Sequence, residues 1–134
     1  MALCEVVDTV RIELNRDLQH EVNLTLAENL VLCQVAMAPD KRLRMVDIAD
    51  LLTISKSAVT KTVDHLEQRS LLVRSRHLND RRIIYAELTV EGAKMFEASQ
   101  PVFLTSVESH FGCALSEAEL GLLCNFSDRL LHGA

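Results

Sequence analysis

The sequence lacks the short motifs that mark the commonest enzyme active sites. It contains no HExxH metal-binding sequence, no glycine-rich phosphate-binding loop and no GxSxG nucleophile elbow. Neither His20 nor His65 has a nearby nucleophile with an assignable role. These absences predict that the protein is not an enzyme.

The sequence also lacks linkers, repeats and export signals. No stretch rich in glycine and serine divides its 134 residues, so we expect a single domain over residues 1–134. Residues 24–38 are apolar on nearly all sides, but they are too short and too interrupted by polar residues to span a bilayer. Glu5 and Asp8 interrupt the N-terminal apolar segment that a signal peptide would need. A cytoplasmic protein without a membrane partner is the expectation.

The four cysteines show no CxxC spacing, so we expect free thiols in a reducing compartment. Cys33 and Cys124 are expected to pack as small core residues. Glu108, His110 and Cys113 are close enough in sequence to share a metal ion, but at this loose spacing such residues are more often plain surface and core residues. We therefore expect no cofactor and no metal site, and keep a metal-responsive protein as an alternative.

Residues 45–68 show the pattern of two helices separated by a tight turn. The apolar residues of the first helix recur at helical spacing at Met45, Ile48, Ala49 and Leu52. Thr53-Ile54-Ser55 then interrupts the pattern, and the Ser55 hydroxyl is suited to cap a second helix. The second helix continues the apolar stripe at Val59, Val63 and Leu66. This pattern predicts a helix-turn-helix.

Residues 72–88 predict a β-hairpin with a charged tip. Residues 72–78 and 83–88 have the length and the composition of strands, and Asn79-Asp80-Arg81-Arg82 separates them. Arg74 and Arg76 alternate along the first strand, so both lie on one side, either as phosphate contacts or as a solvated face. A helix-turn-helix followed by such a wing suits duplex DNA as a ligand.

The polar residues at the start of the second helix are the expected readers of that DNA. Hydroxyl and ammonium groups at a helix N-terminus can bond phosphates and base edges. We expect residues 55–68 to enter a major groove while Arg81 or Arg82 enters the flanking minor groove. Asp80 is expected to anchor the wing arginines by ion pairing. The predicted DNA-binding residues are Ser55, Lys56, Ser57, Thr60, Lys61, Arg74, Arg76, Arg81 and Arg82.

Charge is distributed in agreement with this prediction although the net charge is −5. Residues 41–94 contain 11 Lys and Arg against 7 Asp and Glu, whereas the rest of the chain contains 3 against 12. The positive charge is therefore concentrated where the duplex would lie, and the acidic remainder should limit non-specific binding.

Three further segments predict helices that form a dimer. Hydrophobic residues make up 49% of the chain, which is rich for a small monomer that must keep a wetted surface. The apolar stripes are Leu3, Val7, Val10, Leu14 and Leu18; Ala93, Phe96, Phe103, Val107 and Phe111; and Leu120, Leu123, Cys124, Ser127 and Leu131. Pro101 is expected to kink the middle helix or to mark a fresh start. Residues 24–38 predict a central helix with a Thr25–Glu28 capping box, and Ser116 and Glu119 have the same spacing.

These residues resemble the MarR family, the transcriptional regulators named for the multiple antibiotic resistance regulator. Four segments carry the resemblance, and their order and spacing make it specific. They are residues 47–52 (DIADLL); Ser55 with Val59-Thr60 and residues 63–67 (VDHLE); Asp80-Arg81-Arg82; and residues 88–92 (LTVEG). The similarity is strong across about residues 24–96.

The resemblance implies a mainly α fold with a small β-hairpin wing. A winged helix-turn-helix lobe at residues 23–92 would hold the helix-turn-helix (45–68) and the wing (72–88). Residues 1–22 and 93–134 would be dimerisation helices. Thr53 and Ser70 stand where the family often has glycine, so both turns are expected to be built differently. Arg44 stands where a capping Ser or Thr is usual.

The resemblance also implies function. It suggests a nucleoid-associated homodimer that represses genes from a palindromic operator and is released by a small-molecule effector. The effector would lie between the first helix, residues 24–38 and the start of the long helix near residue 93. Some relatives respond to oxidants through a cysteine placed as Cys4 is, but the tyrosines that assist it are missing here, since Tyr85 lies in the wing. A redox-responsive regulator and a winged helix that binds protein remain as alternatives.

Overall fold

Six α-helices and three β-strands make up the fold in the computed structural model, which describes residues 2–133. The helices are α1 (Ala2–Val22), α2 (Leu26–Met37), α3 (Met45–Leu52), α4 (Lys56–Gln68), α5 (Val90–His110) and α6 (Glu117–His132). The strands are β1 (Arg42–Arg44), β2 (Leu72–Arg76) and β3 (Ile84–Leu88), and a short 3-10 helix, Gly112–Ala114, precedes α6. The expected fold class is confirmed. Within the described residues, no helix combines the length and apolar character needed to cross a membrane.

Helix α2 lies at the centre of the fold, as its apolar sequence predicts. A capping box starts it, because the Thr25 hydroxyl accepts the Glu28 N–H and the Glu28 carboxylate accepts the Thr25 N–H. The helix packs against α1, α3, α4, α5 and the sheet. Its fully buried side chains are Asn29, Val31, Leu32 and Val35. The winged helix-turn-helix lobe and the outer helices therefore share one core.

Helices α3 and α4 form the predicted helix-turn-helix. Their buried side chains are Ile48 and Ala49 on α3 and Val59, Val63 and Leu66 on α4. The Ser55 hydroxyl caps α4 by accepting the N–H of Ala58 at 3.1 Å. The expected stripes and the expected cap are both confirmed. One face of α4 is thus fixed in the core while the other remains available.

The two turns that lack glycine are left-handed, and the expectation that they are built differently is wrong. Thr53 has φ 54° and ψ 46°, and Ser70 has φ 61°. Any residue other than glycine costs roughly 1 kcal/mol or more in this conformation. Hydrogen bonds at the helix ends hold the turns, since the N–H of Thr53 donates to Asp50 at 3.3 Å and that of Ser70 to Glu67 at 2.9 Å. The hydrogen bonds that end α3 and α4 therefore impose a left-handed backbone on Thr53 and Ser70, although the side chains of these residues disfavour it.

The sheet has three strands, one more than the predicted hairpin. Strand β3 lies in the middle and pairs antiparallel with both β1 and β2. With three residues, β1 is too short to show a strand pattern in the sequence. The hairpin strands are also shorter than expected, because the N–H groups of Asn79 and Asp80 turn back onto the His77 ring at 3.1 and 3.2 Å. The wing is therefore a short hairpin braced on one side by β1.

Helices α1 and α5 pack side by side. The buried residues of α5 are all small, namely Gly92, Ser99 and Ser106, and Ser106 contacts Asp17 of α1. Helix α5 continues unbroken through Pro101, so the predicted fresh start is absent. The predicted stripe on α1 is split, because Leu14 and Leu18 are buried whereas its N-terminal half is exposed.

A polar cluster that the sequence did not reveal joins α1 to α5. One carboxylate oxygen of Asp17 accepts the Ser106 hydroxyl at 2.6 Å and lies 2.9 Å from His110 Nε2. The Ser106 hydrogen bond, followed by that of His110, holds the pKa of Asp17 below its usual value. Asp17 is 89 positions from Ser106 and 93 from His110 in sequence, so only the packing of α1 on α5 brings it to them.

Helix α6 begins with the predicted Ser116–Glu119 capping box but buries none of its residues. Cys124 is exposed, so its assignment to the core is wrong, because α6 packs little against this subunit. Cys33 is only partly buried, and desolvation raises its pKa to about 11. A further apolar stripe on α6, which was not predicted from the sequence, is exposed and consists of Leu122, Phe126 and Leu130. Helix α6 therefore presents apolar side chains to solvent on more than one face.

Candidate nucleic-acid interface

The start of α4 presents polar side chains to solvent. Lys56, Ser57, Thr60 and Lys61 are exposed, and the first turn of the helix contains no acidic residue. The Thr60 hydroxyl donates to the Lys56 carbonyl at 3.0 Å, whereas the Ser55 hydroxyl is engaged in the cap. Two ammonium groups and the positive end of the helix dipole therefore face outward together. This arrangement favours an anionic ligand.

A cleft of about 420 Å³ connects this end of α4 to the wing. Its cationic lining consists of Arg44, Lys56, Arg74 and Arg82. Its apolar lining consists of Met45, Val46, Ile83 and Ile84, and Thr60 completes it. Four of the predicted DNA-binding residues, Lys56, Thr60, Arg74 and Arg82, are thus brought to one surface by the fold.

The wing tip carries two exposed arginines, Arg81 and Arg82. The carboxylate of Asp80 accepts the Arg82 N–H at 3.0 Å and its guanidinium at 3.1 and 3.2 Å. The Arg82 side chain, and then its backbone N–H, hold the pKa of Asp80 below its usual value. The expected ion pair of Asp80 is therefore present on Arg82. Arg76 contributes differently, because its guanidinium donates to the Arg81 carbonyl at 2.7 Å and supports the tip from below.

Arg74 points back onto α4, so the expected alignment of Arg74 with solvent-facing phosphate contacts does not hold in this structure. Its guanidinium lies 2.7 Å from Asp64 and 2.8 Å from Glu67, and it also donates to the Thr60 carbonyl at 3.2 Å. The register explains this orientation, because Arg74 pairs with Ala86, whose side chain is buried. Arg74 joins the wing to α4 through two carboxylates.

Arg44 lines the cleft, although its position in the sequence indicates only an unusual helix cap. Its side chain forms no cap hydrogen bond, and its guanidinium instead binds the Asp47 carboxylate at 3.0 and 3.2 Å. Arg42 lies two residues earlier in the same strand. Alternate residues of a strand share a face, so the spacing of Arg42 and Arg44 was the signal in the sequence that both lie on one side. That signal can be interpreted only once the pairing of β1 with β3 shows that these residues form a strand.

A second cavity, of about 650 Å³, lies between the winged helix-turn-helix lobe and the outer helices. It is lined by α1, by the start of α2, by the turn between α3 and α4, and by Phe103. Two of its walls are those expected from the family resemblance. The third lies in the middle of α5 rather than near residue 93, because the first turn of α5 packs tightly against the end of α4.

The cysteines and acidic residues do not assemble a metal site within the described residues 2–133. Of the three side chains considered as shared ligands, His110 contacts Asp17 and the Cys113 thiol donates to the Ser109 carbonyl at 3.0 Å. Cys4 is exposed on α1. The structure thus gives no geometric support to the metal-responsive alternative.

Comparison with known proteins identifies relatives of the winged lobe. A model of the MarR family matches residues 24–84. The chain is 42% identical over 55 residues to the HTH-type transcriptional repressor MdtR of Bacillus subtilis (strain 168). That match covers 41% of this chain and 36% of MdtR. The chain therefore spans only about a third of the length of this curated relative.

Solved structures share the fold over almost the whole chain. Sco3205, a MarR family transcriptional regulator from Streptomyces coelicolor solved in complex with DNA, has a TM-score of 0.91 at 23% identity, covering 98% of this chain and 86% of that chain. AbsC, a MarR family transcriptional regulator from the same organism, has a TM-score of 0.86 at 28% identity, covering 98% and 85%. The likeness extends beyond the winged lobe to the outer helices. The chain is thus similar to MarR family transcriptional regulators in the sequence of residues 24–84 and in its fold.

Proposed function

We propose that this chain is a sequence-specific DNA-binding regulator that acts as a homodimer. The observation that carries the proposal is that the start of α4, the cleft and the wing tip bring exposed Lys and Arg side chains to one side of the lobe. Exposed Lys and Arg there can neutralise phosphates, and the Ser57 hydroxyl and the Lys side chains can reach base edges. Sco3205, whose fold this chain shares, was solved with DNA, which supports the same use of the surface.

In this proposal α4 enters a major groove and the wing enters the flanking minor groove. Lys56, Ser57 and Lys61 contact phosphates and bases, while Arg81 and Arg82 lie along the minor groove. Asp80 fixes the direction of Arg82, and Arg76 supports the backbone of the tip. Arg74 is assigned to holding the wing on α4 rather than to touching DNA.

Salt-dependent DNA binding tests the proposal. The probe is a set of duplexes enriched by the protein from a random-sequence library, together with fragments from upstream of its own gene. Fluorescence anisotropy is expected to show a logarithmic affinity that falls steeply and linearly with logarithmic salt concentration, because several phosphates exchange counterions for Lys and Arg. A winged helix that binds protein would enrich no duplex and would give flat titrations at low salt.

The outer helices support the proposal of a homodimer. Leu122, Phe126 and Leu130 are 69%, 52% and 71% exposed, so α6 places a row of apolar side chains in water within a lone subunit. The N-terminal half of α1 adds Leu3 and Val7, at 74% and 47% exposure. Exposed apolar surface of this kind is typical of an interface. A two-fold dimer would also match a palindromic site.

Adding charge to the exposed row on α6 is expected to break the dimer. The double substitution Leu122→Glu/Leu130→Glu would place two carboxylates in the proposed contact, raising the dimer dissociation constant by roughly tenfold or more. Analytical ultracentrifugation measures the change. Leu78→Glu is the matched control, because Leu78 is 97% exposed on the wing and far in sequence from α6. A double variant that stays as dimeric as the control would place the interface elsewhere.

The second cavity is our proposed effector site, and repression is our proposed mode of action. Repression is supported by MdtR, which is named a transcriptional repressor. The cavity touches the turn that precedes α4, at Leu52, Thr53 and Ile54. A ligand there would release DNA only if its affinity is higher for a dimer conformation whose two α4 helices have a separation that does not fit DNA. Its apolar lining with Arg11 and Asn15 suits a small amphipathic molecule.

A further inference from the structure

Residues 88–92 (LTVEG) lie outside the DNA surface, yet they contact the end of the reading helix α4. Thr89 caps α5, because its hydroxyl accepts the Gly92 N–H at 2.9 Å. The same hydroxyl lies 2.6 Å from the Ser70 carbonyl oxygen and 3.0 Å from that of Leu71, and it donates its proton to this turn. The Thr89 N–H adds a hydrogen bond to Leu71 at 3.2 Å. The start of α5 therefore holds the turn that follows α4.

Gly92 brings α5 still closer to the same turn. A Cβ atom at this position would lie 2.0 Å from the Leu71 carbonyl oxygen and 2.8 Å from Leu88 Cδ1. Backbone atoms cannot move aside as the end of a flexible side chain can. The first turn of α5 is consequently in close contact with the backbone of the turn that follows α4.

A second group holds this turn from the opposite side. Arg69 ends α4, and its guanidinium donates to the Asn23 carbonyl in the α1–α2 connection. It also lies 4.0 Å from the Glu28 carboxylate, which is almost buried in the capping box of α2. Residues 69–71, here named the coupling turn, thus contact the α1–α2 connection, α2 and the start of α5. The other end of α4 is the exposed, cationic end.

We infer that the coupling turn is the joint through which the α1–α2 connection and α5 set the direction of α4 in the dimer, with Thr89 and Arg69 as positioning residues. The inference rests on the proposed function, since the direction of α4 matters only if two such helices read DNA together. Helix α4 has 13 residues and is therefore about 20 Å long. A tilt of roughly 10° at the coupling turn displaces its far end by about 3 Å, close to the rise of one base pair. The joint determines which spacing of half-sites the dimer accepts.

Two substitutions at Thr89 separate this role from helix capping. Thr89→Asp keeps an oxygen that caps α5, but a carboxylate cannot donate a proton to the Ser70 and Leu71 carbonyls. Thr89→Ser keeps both the cap and the donor. Ser116→Asp is the matched control, because it makes the same kind of change at the cap of α6, where the hydroxyl accepts the Glu119 N–H.

The measurement is the affinity of full-length dimers for a duplex enriched by the wild-type protein, compared with versions lengthened or shortened by one base pair at the centre. We expect the wild type, Thr89→Ser and Ser116→Asp to discriminate among the spacings. In Thr89→Asp the ratio of affinities between the preferred and the altered spacings is expected to fall roughly five- to tenfold, which is the lower end of the usual range for coupling between sites. Thermal unfolding of each variant is followed in parallel.

The outcomes distinguish the two proposals. A wild-type protein that enriches no duplex overturns the proposed function itself. A wild type that discriminates, beside a Thr89→Asp variant that discriminates equally well, overturns only the inference about the coupling turn. The inference also fails if Thr89→Asp binds every spacing more weakly by the same factor, because that is the result of a less stable fold.

Discussion

Replacing Lys61 and Arg82 together by alanine is expected to lower the affinity for operator DNA on the order of a thousandfold near 0.1 M salt. Both side chains are exposed, one on α4 and one at the wing tip, and a dimer carries each of them twice. If each neutralises one phosphate, four contacts are lost, and the slope of logarithmic affinity against logarithmic salt should flatten by roughly 3 to 4. Fluorescence anisotropy at several salt concentrations measures the affinity and the slope.

A matched variant controls for the loss of charge. Arg16 and Lys94 are also an exposed arginine and lysine, each in a surface ion pair, on α1 and α5 respectively. The variant Arg16→Ala/Lys94→Ala should keep the wild-type slope. Because Arg82→Ala leaves Asp80 unpaired at the wing, a further variant with Asp80→Asn separates lost attraction from new repulsion. An unchanged slope in Lys61→Ala/Arg82→Ala would remove both residues from the interface.

Gly92→Ala is expected to lower the free energy of unfolding by about 1 to 3 kcal/mol. The added methyl group would lie 2.0 Å from the Leu71 carbonyl oxygen, so the backbone of α5 or of the coupling turn must shift. Such a shift weakens the hydrogen bonds between Thr89 and residues 70–71 as well. Urea denaturation followed by circular dichroism measures the change.

The same substitution at Gly121 provides the control. A Cβ atom there would have no neighbour within 4 Å, and Gly121 lies inside α6. Alanine is a better helix former than glycine, so Gly121→Ala should leave stability unchanged or raise it by up to about 1 kcal/mol. Equal stability losses in the two variants would show that the space around Gly92 is not the cause.

Features that depend on residues close in the chain could be predicted from the sequence. The caps at Thr25, Ser55 and Ser116 each need partners only three residues away. The apolar stripes of α3 and α4 repeat within one or two helical turns. The exposed lysines at the start of α4 follow from the same stripe, because they lie opposite its buried face. Local periodicity and local hydrogen bonding therefore predict the helix-turn-helix and the part of the candidate site that lies on α4.

Other features required partners that the sequence does not bring together. Arg74 appeared equal to Arg76 as a cation on a strand, but the packing of that strand on α4 directs Arg74 to Asp64 and Glu67. Cys124 looked like a core residue because its stripe is helical, yet a stripe does not reveal whether it packs within the subunit or remains exposed. The left-handed turn at Thr53 could not be predicted from backbone propensity, because that propensity disfavours a left-handed threonine.

The sequence by itself determined where α4 begins, which faces of α3 and α4 are buried and where positive charge is concentrated along the chain. Each of these depends on spacings within a few residues or on composition. Only the tertiary structure decided that α4 and the wing share one cleft, that Arg74 is an internal link, and that α5 grips the end of α4 through Thr89 and Gly92. The Arg74–Glu67 hydrogen bond joins residues 7 positions apart and the Thr89–Ser70 hydrogen bond joins residues 19 apart, and the cleft is lined by residues as distant in sequence as Arg44 and Ile84. These contacts exist only because the shared core around α2 places the helices and the sheet in one arrangement.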